Sequence, residues 1–158
     1  MMDKRPEAEI QVGAVLNAIE PLEANIDQFL IVIIDAPRVL WGIKREIMLA
    51  RHCAFAARCR ITQLYEKIER SVYWLKDTRN LTDGIVAMET ASSDARSLLE
   101  SVMTANAVFG QGVRPNGETW EHQGIWERIV RQAGELPQKI ADAKTALTVA
   151  GLTAEGRL

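Results

Sequence analysis

Four stretches of the chain space their apolar residues alternately three and four apart, so each can gather them into one stripe only as an α-helix. The first stripe is Val12, Val15, Ile19, Leu22, Ile26, Phe29 and Ile33. The second is Leu40, Ile43, Ile47, Ala50, Ala54, Ala57, Ile61, Leu64, Ile68, Val72 and Leu75. Ile85, Met88, Ser92, Ala95, Leu99, Val102, Asn106 and Phe109 make the third, and Trp126, Ile129, Ala133, Leu136, Ile140, Ala143, Leu147 and Ala150 the fourth. A strand would scatter every one of these sets over both of its faces.

Helix punctuation divides the chain at matching places. Pro6 with Glu7 and Glu9 suits a helix start, and Asp35 before Pro37 suits the cap of the next helix. The turn residues around Asn80–Asp83, Gly110–Gly112 and Arg114–Gly117 separate the remaining two. The predicted helices cover about 7–35, 37–77, 82–109 and 118–150, with Pro21 and Pro137 expected to kink the first and last, and fraying expected from Gly151 onward. Short connections favour antiparallel neighbours. The expected fold is all-α: an up-down bundle of four long helices with heptad, coiled-coil-like packing, forming one domain over 1–158. Alanines at 50, 54 and 57 predict a close approach to the small residues Ser92 and Ala95.

At 158 residues, with 47% apolar and 25% charged, the chain can bury a core without disulfides or a structural metal. Its longest apolar run, Phe29–Ile34, has six residues, far short of the roughly 20 that cross a bilayer. Residues 1–9 carry no secretory pattern, so the expected location is the cytoplasm. Cys53 and Cys59 sit on different faces of one predicted helix, which leaves them as free thiols. His52 and His122 are the two histidines, and neither joins a metal-ligand pattern: Glu118 and Glu121 precede His122 by four and one, not by the three of carboxylate-bridged bundles. Gly-rich phosphate loops, serine elbows and paired-cysteine motifs do not occur, so no catalytic residue, metal or cofactor is predicted.

Charge is unevenly spread. Residues 1–37 hold seven carboxylates against two bases, whereas 38–60 hold Arg38, Lys44, Arg45, Arg51, Arg58 and Arg60 against Glu46. Either the acidic first helix lies beside the basic second one, or the six bases face a polyanion such as nucleic acid. The net charge of −2 gives no general affinity for polyanions. Arg45 and His52, six residues between them, resemble the Arg-x(4–6)-His signature of HEPN-type ribonucleases, which are also helical bundles. That resemblance implies an Arg and a His polarising a phosphodiester by charge stabilisation and proton transfer.

The second helix carries more apolar surface than one stripe needs. Trp41, Met48 and Phe55, each seven apart, run beside the main seam, and Val72, Tyr73 and Trp74 extend beyond the reach of the first helix. Phe29–Ile34 is apolar all round, which places that turn at a bundle centre or against another chain. These residues predict a non-enzymatic structural or protein-interaction subunit, self-association included, with nucleic-acid binding through the basic segment and a ribonuclease role for Arg45 and His52 as the alternatives.

Overall fold

The computed structural model describes residues 5–33, 41–70, 77–109 and 123–154. Among them the secondary structure is four helices: α1 (Arg5–Ile33), α2 (Trp41–Arg70), α3 (Thr78–Phe109) and α4 (Gln123–Ala154). They run 29 to 32 residues, about 45 Å each at the helical rise.

Each helix packs against its two sequence neighbours around a ring, α4 closing against α1, and diagonal pairs barely meet. Direction follows from which residues pair. Asp27 meets Arg51 and Glu23 meets Arg58 between α1 and α2. Between α3 and α4, Asn106 accepts a 2.9 Å hydrogen bond from the Trp126 indole, while Glu89 meets Lys144. Rising numbers on one helix therefore match falling numbers on the next. This is an up-down all-α four-helix bundle.

Every described stripe residue of the first, second and fourth seams is buried. The third seam is corrected. Met88, Ala95, Val102 and Phe109 are buried as expected, but their companions are Gly84, Ala91, Leu98 and Ala105 rather than Ile85, Ser92, Leu99 and Asn106. Those four sit half-buried along the edge of the stripe. The physical reason is space. α2 and α3 form the most extensive pair of helices, and their buried faces are rich in small residues that let backbones approach, Ala50, Ala54 and Ala57 on α2 and Gly84, Ala91, Ala95 and Ala105 on α3, with Leu98 the large member of that line. At one end, Phe29, Phe109 and Trp126 fill the opening with ring centroids 5.0–6.1 Å apart.

Helix ends also differ from expectation. Asp77, expected as the end of the second helix, instead caps α3: its Oδ1 accepts from the Arg79 backbone N–H at 2.8 Å, and α3 starts at Thr78 rather than near 82. α4 does not fray at Gly151 but continues to Ala154. Gly151 is buried against Leu81, whose Cδ2 leaves no room for a Cβ. α1 and α4 continue through Pro21 and Pro137. Leu40, Val72 and Leu75 of the second stripe lie outside the described residues.

Enlarging Ala54, fully buried on the inward face of α2, overpacks the core. Ala54→Leu is expected to cost about 1–3 kcal/mol in equilibrium chemical unfolding.

Candidate protein-interaction face on the second helix

Seven residues bring an α-helix back to within about 20° of the same direction, so residues seven apart share a face. Trp41, Met48 and Phe55 accordingly lie in one row on α2, opposite the buried line Ile43, Ile47, Ala50, Ala54, Ala57 and Ile61. They are 68%, 42% and 45% exposed. Leu49, also exposed, flanks the row. Val72, Tyr73 and Trp74, expected to extend this surface, lie outside the described residues.

Sequence reading missed Ile31. The turn Phe29–Ile34 does place Phe29 and Ile33 in the core, yet Ile31 is 77% exposed. With Asp27 paired to Arg51, one turn further along antiparallel α1 brings Ile31 level with Met48. The exposed row thus spreads over the α1–α2 edge. Other exposed large apolar residues, Ile10 on α1 and Val86 and Met103 on α3, stand singly on the surface, as is usual in any soluble fold.

The basic segment is divided rather than pooled. Arg51 and Arg58 turn to α1, pairing with Asp27 and Glu23. Arg60 turns the other way, to Asp94 of α3 at 3.4 Å. The acidic first helix thus does neutralise part of the basic second one. Glu23 is buried, and its second oxygen accepts from Arg58 Nη2 at 3.4 Å; this hydrogen bond raises the pKa of Arg58. The same guanidinium lies 5.3 Å from the centre of the Phe55 ring, tying the exposed row to the ion pair. Of the remaining bases, Arg45 is exposed, Lys44 is half-buried, and Arg38 lies outside the described residues. The five described bases do not form one cationic face.

Arg45 and His52 share the outward face of α2, both exposed and about 10 Å apart along its axis by their seven-residue separation. Glu118, Glu121 and His122 are outside the described residues, and among the described ones no three His, Cys, Asp or Glu side chains converge as metal ligands would. Cys53 and Cys59 are free and half-buried, and burial, with Asp94 nearby, pushes the Cys53 thiol up. No described helix is long and apolar enough to cross a membrane.

No protein-family model, curated protein or solved structure matches this chain.

The two ion pairs between α1 and α2 differ in solvent access, and so should differ in worth. Glu23→Ala leaves Arg58 without its partner in a part-buried site and is expected to cost about 1–3 kcal/mol. Asp27→Ala breaks a pair whose side chains are 49% and 42% exposed and is expected to cost at most about 1 kcal/mol. Equilibrium unfolding of the two variants gives the comparison.

Proposed function

We propose that this chain is a non-enzymatic structural or protein-interaction subunit, and that it binds its partner through the outward face of α2. One observation carries the reading. Trp41, Met48 and Phe55 are large, apolar and exposed at heptad spacing, on a helix whose opposite face already closes a complete core. A helix needs one apolar stripe to join a bundle, and a second stripe on the far side serves a second neighbour. Tryptophan, methionine and phenylalanine are also the side chains that fill interfaces, since each brings a large apolar area with few rotatable bonds or an adaptable thioether.

The Phe55–Arg58–Glu23 chain of contacts supports the same reading. It ties α2 to α1 beside the row, so the face is presented in one orientation and little ordering is left for binding. Ile31 at the adjoining edge widens the patch beyond a single helix.

A photo-crosslinking amino acid placed at Met48, and for comparison at Gln138 on the outer side of α4, tests the proposal in cells of the native source. Crosslinks to protein at 48 and none at 138 are expected. Equal crosslinking at both positions, or none at 48, would overturn the assignment of this face.

A further inference from the structure

We infer that the outward face of α2 accepts an acidic amphipathic helix from another protein, laid along Trp41–Phe55. The inference rests on the interaction role proposed above and names the chemistry of the partner. From Trp41 to Phe55 the row spans fourteen residue steps, about 21 Å or four helical turns. That length suits a helix anchored by apolar residues at i, i+3 or i+4, i+7 and i+11.

Charge selects the partner. Arg45 and His52, both exposed, stand between the apolar anchors. Glu46, the one carboxylate from 41 to 58, is half-buried and a third of a turn away from Arg45. The outward face over this stretch is therefore apolar, with the fixed positive charge of Arg45 and the polar imidazole of His52 and without an acid of its own. The α1 edge is different: Asp27 and Glu23 are already engaged by Arg51 and Arg58, and Glu20 lies beside them in the same shallow pocket. Carboxylates of a bound helix are thus steered away from the α1 edge and towards Arg45. This sets one rotational orientation of the partner on the face.

A second copy of the chain is the competing occupant. A two-fold axis through Met48 would set Trp41 against Phe55 of the other copy and Arg45 opposite its Arg51, which Asp27 already engages. That arrangement offers Arg45 only a carboxylate that is already paired, whereas an acidic helix supplies a new one.

A display library of random helical peptides of about 18 residues, five turns, selected on the folded full-length chain, is the test. Enriched peptides are expected to combine the apolar i, i+3/i+4, i+7 pattern with aspartates or glutamates along one edge. Fluorescence anisotropy should show their affinity falling by about tenfold or more for Arg45→Glu, and falling with rising salt. Arg131→Glu, on the outer side of α4, should leave affinity unchanged, and a peptide with its acids exchanged for lysines should recover binding to Arg45→Glu. Arg45 is exposed, so folding of that variant is expected, and far-UV circular dichroism verifies it. Enrichment of neutral or basic peptides, no enrichment, or indifference to Arg45→Glu would overturn the inference. So would light scattering that shows a wild-type dimer which Met48→Asp dissociates. If position 48 still crosslinks to protein in cells under any of these results, the interaction role stands and only the acidic helix is lost.

Discussion

The close approach of α2 to α3 is the constraint on which the rest of the bundle depends. Ala50, Ala54 and Ala57 of α2 and Gly84, Ala91, Ala95 and Ala105 of α3 are buried in this most extensive helix pair, where Leu98 is the large exception. Such a contact gains van der Waals attraction only while its residues stay small. The volume missing from this side is supplied from elsewhere. α1 inserts Ile19, Leu22, Ile26 and Phe29, α4 inserts Trp126, Ile129, Leu136 and Ile140, and Ile43, Ile47 and Ile61 of α2 fill the layers above and below its alanines.

That same constraint explains what could be read from sequence and what could not. In α1, α2 and α4 one unbroken line of apolar residues at three-four spacing coincides with the core, so hydrophobic spacing finds the seam even though α2 also exposes Trp41, Met48, Leu49 and Phe55. In α3 two lines of residues satisfy the same heptad spacing. One holds Ile85, Ser92, Leu99 and Asn106, the other Gly84, Ala91, Leu98 and Ala105; each has one leucine, so apolarity separates them only through Ile85, and burial selects the line whose other members are small. Asn106 belongs to the edge because its side-chain oxygen receives the Trp126 N–H, a pairing across twenty residues that no local pattern announces. In sequence the start of α3 reads too late because Asn80 and Asp83 suit a helix start while Asp77 reads as the end of the helix before; the hydrogen bond from the Arg79 N–H to Asp77 places the cap.

The candidate site was legible in part. Trp41, Met48 and Phe55 stood out as apolar residues surplus to a seam, and their exposure on α2 follows from the helical repeat. Ile31 was hidden inside an all-apolar turn, where hydropathy cannot tell the inward from the outward members. Charge counting located the attraction between α1 and α2 but not its partition. Arg51 and Arg58 sit on one flank of α2 and Arg60 on the other, so what reads as a basic block along the chain is two separate sets of clamps in space. The clamps orient α2 within the bundle, and the outward row touches them only where Phe55 meets the Arg58 guanidinium, being otherwise free of any part in holding α2 there.

That freedom is the central claim, and equilibrium chemical unfolding of the triple variant Trp41→Ser, Met48→Ser, Phe55→Ser tests it most directly. If the row serves a partner rather than the fold, the triple variant unfolds within about 1 kcal/mol of the wild type, as exposed substitutions do. A loss of several kcal/mol, the scale of large-to-small changes in a core, would mean that these side chains stabilise the bundle itself and would contradict the account.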